Sequence, residues 1–149
     1  MNQILESLKV KGNVSIVLDK ADGTQENIDI KNLVVSTGLN FIVSRMKDTS
    51  QSAMTHMELG TGTTAAANAD TALQAAIAGS RQGLGSTTVS GNQITYVASF
   101  AAGVGTGAVT EAGLFNAGAA GTMACRTVFP VVNKQAGDSM TVTWTVTVS

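Results

Sequence analysis

One histidine and one cysteine bound the side-chain chemistry that this sequence can offer. His56 is the one imidazole available as a general base. It lies in Thr55-His56-Met57, a stretch whose alternation reads as a strand, and a partly exposed strand histidine is the plainer expectation. A single His and a single Cys cannot supply the usual zinc ligand sets. Cys125 shares its parity with Met123 and Phe129 and reads as a small buried hydrophobe. Arg126 follows it, and a cation beside a thiol would lower the thiol pKa. Neighbouring strand residues point to opposite faces, however, so no reactive thiol is expected.

Two glycine clusters, GTGTT at 60–64 and GVGTG at 103–107, invite a phosphate-loop reading. Neither carries the GxxxxGK[ST] arrangement, and neither opens a long helix after a strand, which backbone anion binding at a helix start requires. Both read as turns. The carboxylates Asp19, Asp22, Glu26 and Asp29 cluster in sequence, but the DxDxDG density of a calcium loop is missing. Glu111 stands among small apolar residues in Thr110-Glu111-Ala112-Gly113. A carboxylate there must find a partner or stay at the surface, and an ion pair with an arginine or a subunit contact is expected rather than catalysis. No catalytic, cofactor-binding or metal-ligating residue is assigned, and the chain is not read as an enzyme.

The elements that would position these residues are mostly strands. Asp138–Ser149, DSMTVTWTVTVS, alternates strictly, with Met140, Val142, Trp144, Val146 and Val148 on one face and threonines on the other. Its β-branched residues suit a pleated surface, and the only Trp faces the apolar side. Leu8–Leu18 and Glu26–Val35 read as two strands joined through Asp22-Gly23, a strong hairpin signal, with Gly12 a possible bend. Further strands are expected at 54–59, 81–89, 93–100, 108–116 and 122–132, the last with Pro130 at an edge or bulge. A helix is expected at 37–48, capped by Ser36 or Thr37, with Leu39, Ile42, Val43 and Met46 forming the face that covers the sheet. Residues 60–69 read as loop, and 70–78 allow one helical turn capped by Asp70. The expected fold is a mostly-β single domain, an antiparallel β-sandwich or jelly roll over residues 9–149, preceded by an N-terminal arm at 1–8.

Of the 149 residues, 13% are charged and 4% aromatic, so the surface must be built largely from Thr, Ser, Asn, Gln and Gly. Such a polar but uncharged surface suits a protein packed against neighbours. The net charge of -1 gives no electrostatic footprint for nucleic acid or an anionic membrane. The single Cys rules out an internal disulfide, and the first residues lack the long apolar core of a secretion signal. No window approaches the ~20 apolar residues of a membrane span.

Three stretches carry a family resemblance: MELGTGTTAAANADTAL (57–73), ITYVASFAAGVGTGAVTEAGLFNA (94–117) and MACRTVFPVVNKQAGDSMTVTWTVTV (123–148). In this order they resemble a family of small structural proteins of tailed-bacteriophage virions, which share a GTGTT…DTAL segment, then TEAGLFNA, then RTVF…VNK…D and a TWT-containing end. The first 50 residues match loosely. The resemblance implies a virion protein synthesised in the host bacterial cytoplasm, with no catalytic motif to carry over. Its first form is a capsid decoration (cement) protein on the outer face of an icosahedral shell. There it would sit as homotrimers against the major capsid protein, with Ile4, Leu5 and Leu8 of the arm docking on a neighbour. Its alternative is a tail or fibre component that binds a host receptor through loops 60–69 and 101–107. Fibres usually carry long repeats, and none is visible here, which favours the shell.

Overall fold

The last strand is the centre of one half of the fold. In the computed structural model, which describes residues 9–48 and 51–149, nine strands and one helix follow in the order β1 (Val10–Asp19), β2 (Gln25–Val34), α1 (Ser36–Lys47), β3 (His56–Gly60), β4 (Gln82–Gly83), β5 (Ser86–Ser90), β6 (Gln93–Phe100), β7 (Gly107–Phe115), β8 (Met123–Lys134) and β9 (Ser139–Val148). β9 pairs with β1 on one side, Trp144 opposite Val14, and with β6 on the other, Trp144 opposite Tyr96. The alternation of its sequence is reproduced in burial: Met140, Val142 and Trp144 are closed off from solvent, while the threonines between them are half-exposed. The matching parity of Val14, Ile16 and Leu18 on β1, and of Tyr96, Ala98 and Phe100 on β6, completes this inner face.

All nine strands join one antiparallel sheet in the order β4-β3-β7-β8-β2-β1-β9-β6-β5, curled into a half-barrel. One strand and one link join the two halves of the curl. β2 pairs with β1 through Asn32, then crosses to β8, where Leu33 and Val34 face Arg126 and Cys125. At the far ends, Leu84 N–H donates to Thr55 O and Gly85 N–H to Val97 O, so the β4–β5 link bonds both halves. The inner faces meet in one core that also holds Met57, Leu59, Leu114 and Phe129. The β1–β2 hairpin closes on the expected turn, where Gly23 has φ +87° and Asp22 Oδ1 accepts from Thr24 N–H at 2.9 Å. Pro130 is exposed on β8 beyond the two residues that pair with β2, where no ladder bond to β2 is lost.

Several expectations are corrected. Gly12 shifts no register; it leaves room for the side chain of Asn32, with which any Cβ there would collide. The helix is where it was expected, but it is turned. Gly38 and Phe41 are buried and the partly buried Ile42 packs against the core, while Leu39, Val43 and Met46 are exposed at 43%, 65% and 84%. At 100° per residue the inward face lies about a quarter turn from the apolar stripe. The cause is Gly38: a Cβ there would overlap the carbonyl of Ala124, so its absence lets the helix backbone settle directly on β8. Neither Ser36 nor Thr37 caps α1; the Thr37 hydroxyl donates instead to Met123 O at 2.6 Å. Residues 70–78 form no helical turn, and the strand expected at 81–89 is split into β4 and β5. Met123 and Cys125 do not share a face, because a register shift between Leu114 and Phe115 displaces Ala124. Met123 joins an outer cluster with Val35, Leu73 and Phe115, and Cys125 the inner core. The arm at 1–8 lies outside the described residues.

Candidate functional site

The densest polar chemistry in the described residues lies on the outer face of β7 and β8. β7 carries a register shift between Val109 and Glu111 that turns the Glu111 side chain outward, opposite the core-facing Val109 and Ala112. On β8, the alternation that buries Cys125 inward sends Arg126 the other way. Glu111 and Arg126 therefore meet, with Oε2 2.8 Å from Nη2 and 2.9 Å from Nε. Neither is left open to water, at 0% and 2% exposure.

Residues 61–80 fold over this pair as a cover. Gly62 N–H and Ala75 N–H donate to Glu111 Oε1 at 3.0 and 2.7 Å, and Gln74 N–H donates to Oε2 at 3.1 Å. Arg126 donates onward to Asp70 Oδ2 at 2.8 Å and to the carbonyl of Thr64 at 3.0 Å. A Cβ at Gly60 or Gly62 would strike Glu111 Oε1, so both glycines are needed for the backbone to come this close. The GTGTT segment thus supplies one of three backbone amides that bind the protein's own carboxylate, the other two coming from Gln74 and Ala75. Burial alone would push the Glu111 carboxyl up, but the amides of Ala75 and Gln74, then Arg126, outweigh it and hold it below the usual carboxylate range. Both oxygens are saturated by donors, so Glu111 has no lone pair placed to take a proton from a substrate.

Two smaller clamps hold other loops to the sheet. Arg81 stacks on the Phe115 ring with its guanidinium carbon 3.6 Å from the centroid and donates to Glu58 Oε1 at 3.2 Å and to the carbonyls of Ala117 and Ala120 at 3.0 Å. Its Nε lies 3.2 Å from Glu58 Oε2 without the alignment of a hydrogen bond. At the opposite end of the sheet, buried Lys134 donates to Ala101 O at 3.0 Å and Asp138 O at 2.6 Å. Burial holds the Lys134 ammonium below its ordinary pKa, and the charge of Asp138 offsets part of this. The Asp138 carboxylate accepts from Ala21 N–H and Gln135 N–H, which hold it below its usual range. The turns at 20–24, 101–106 and 135–138 are tied together at this end.

The remaining sequence candidates stand apart. His56 is half-buried on the outer face, its Nδ1 2.7 Å from Thr55 Oγ1. Cys125 is buried inward, and burial pushes its thiol up to about 12, the opposite of activation by Arg126. Asp19, Asp22, Glu26 and Asp29 are exposed along the first hairpin, with Glu26 paired to Lys20 at 2.6 Å. Among the described residues no three His, Cys, Asp or Glu side chains converge as metal ligands would. An apolar hollow of about 310 Å³ opens under α1 between Phe41, Ile42, Met54, Tyr96, Leu114 and Val146.

The partners of Glu111 on the cover were missed in the sequence because they are backbone amides, which leave no residue signature. The signal that could have found them was the glycine pair beside a stretch otherwise free of cations. No protein-family model, curated protein or solved structure matches the chain.

Proposed function

We propose that the chain is a structural subunit of a tailed-bacteriophage virion, acting without catalysis as a decoration protein that cements the capsid shell. In this reading the curled sheet serves as a two-layered sandwich of jelly-roll type, and copies sit as trimers against the major capsid protein on the particle surface. The observation that carries the reading is the use made of the motif residues. Gly62 and Thr64 of GTGTT, Asp70 of DTAL, Glu111 of TEAG, Arg126 of CRTVF, and Lys134 and Asp138 of the VNK…D segment all hold loops to the sheet. The segments that resemble virion proteins thus serve architecture in this chain. A locked outer layer with a polar, charge-poor surface suits a subunit that makes extensive contacts, because few charges must be stripped of water.

The test is a particle assembled without this chain. Such particles should form, then lose DNA at lower temperature or on osmotic shock, and regain stability when purified protein is added back. Particles of normal shell stability that no longer adsorb to cells would put the chain in the tail or a fibre instead.

A further inference from the structure

The two ends of the β1–β2 hairpin are oppositely charged. Where β2 leaves β1 to join β8, a groove of about 720 Å³ opens between the start of β1 and the helix. Lys9, Lys11 and Lys31 line it, with no carboxylate among the lining residues. All three are exposed, and none has an ion-pair partner among the described residues. The floor is apolar, formed by Leu33, Val34 and the 43%-exposed Leu39. At the other end of the same hairpin, Asp19, Asp22 and Glu26 are exposed, and Lys20 is the one cation among them. Val131, 52% exposed, lies beside this acidic turn. Ten residues of strand separate the two ends, about 30 Å at the rise of a β-strand.

We infer that the basic groove receives the acidic β1–β2 turn of a second copy of this chain. A turn with an excess of carboxylates faces three lysines that are unpaired among the described residues, and Val131 brings an apolar side chain to a floor that offers Leu39. The groove and the turn lie too far apart on one molecule to meet each other, so the contact is head-to-tail. It propagates into a ring if the rotation closes and into a row if it does not. Complementary charge sets register and raises the rate of encounter, while the apolar floor removes surface from water. The inference does not use the virion reading, and it stands or falls with the isolated protein.

Sedimentation velocity on the purified chain tests it, with the weight-average mass followed as salt is raised from about 50 mM to about 500 mM, which shortens the screening length several-fold. Association at low salt that dissolves at high salt is expected. A groove variant, Lys9→Glu with Lys11→Glu and Lys31→Glu, should be monomeric alone. So should a turn variant, Asp19→Lys with Glu26→Lys, which leaves the Asp22 turn bond in place. Mixing the two should restore association, because each reversed surface then meets its opposite. That rescue also shows that both variants are folded. A wild-type chain that is monomeric throughout, or association that neither variant alters, would overturn the inference.

Discussion

Glu111 and Arg126 form a fully buried ion pair across β7 and β8, with Oε2 and Nη2 2.8 Å apart, and the cover at 61–80 is fastened to that pair through its backbone. A buried pair of this kind is weak as a source of net stability relative to apolar residues, but breaking it from one side is costly. Its value here is positional, since three amides converge on one carboxylate.

Removing the carboxylate should therefore do more than remove a contact. Glu111→Ala leaves Arg126 buried without its main counter-charge, and a loss of about 3–5 kcal/mol is expected in chemical denaturation. Amide exchange should speed up first at Gly62, Gln74 and Ala75, while the β1–β9–β6 strands stay protected. Equal acceleration everywhere would show that the cover is not a separate cooperative unit.

The acid limb of stability follows from the same group. The Glu111 carboxyl is held below its ordinary value of 4.5, so its contribution is fully present above about that pH and fades as the pH falls through the lower folded value. Asp138 acts in the same direction from its ordinary value of 3.8. Denaturation midpoints measured from neutral pH to about pH 3 should be flat and then fall. The gap between wild type and Glu111→Gln should be widest at neutral pH and shrink on acidification. A gap that does not change with pH would contradict the assignment.

Trp144 is 0% exposed, and its indole N–H has no acceptor among the described residues. Trp144→Ala should cost about 3–5 kcal/mol as a large-to-small core change. Trp144→Phe should cost much less, because the unpartnered donor is removed with the ring that carries it. Native fluorescence should be blue-shifted, and a solvent-like maximum would rule out this burial.

The rotated helix gives a contrast between neighbours. Phe41→Ala should destabilise by about 3 kcal/mol or more, whereas Val43→Ser and Met46→Ser should fall within about 0.5 kcal/mol of wild type. Gly38→Ala should be severely destabilising despite the higher helix propensity of Ala, because the new methyl meets the Ala124 carbonyl. A stabilising Gly38→Ala would mean that the helix does not sit on β8 as described.

Cys125 should resist alkylation at pH 8 in the native protein and react once the chain is unfolded, since burial pushes its thiol up to about 12. Rapid native labelling would show an opening of the core between β2 and β8.

What was legible in the sequence was local. The alternation of β9, the parity of β1 and β6 and the Asp22-Gly23 turn each follow from residues a few positions apart, and each is reproduced in the fold. The face of α1 was only partly legible from its apolar pattern: Ile42 packs against the core as expected, but Leu39, Val43 and Met46 are exposed, because the deciding feature is a missing Cβ at Gly38. The expectation that Glu111 pairs with an arginine holds, and the partner is Arg126, the residue after Cys125. The path of 61–80 was hidden for a different reason. Its amides bond to a carboxylate 36 to 49 residues away, and backbone donors carry no sequence label.

The proposed role is that of a multi-copy element of a virion shell. Quantitative mass spectrometry of purified particles, with the chain counted against the major capsid protein, tests it most directly. Hundreds of copies per particle, in a fixed ratio to the major capsid protein, are expected. A few to tens of copies would place the chain in the tail or a fibre, and none would contradict a virion role altogether.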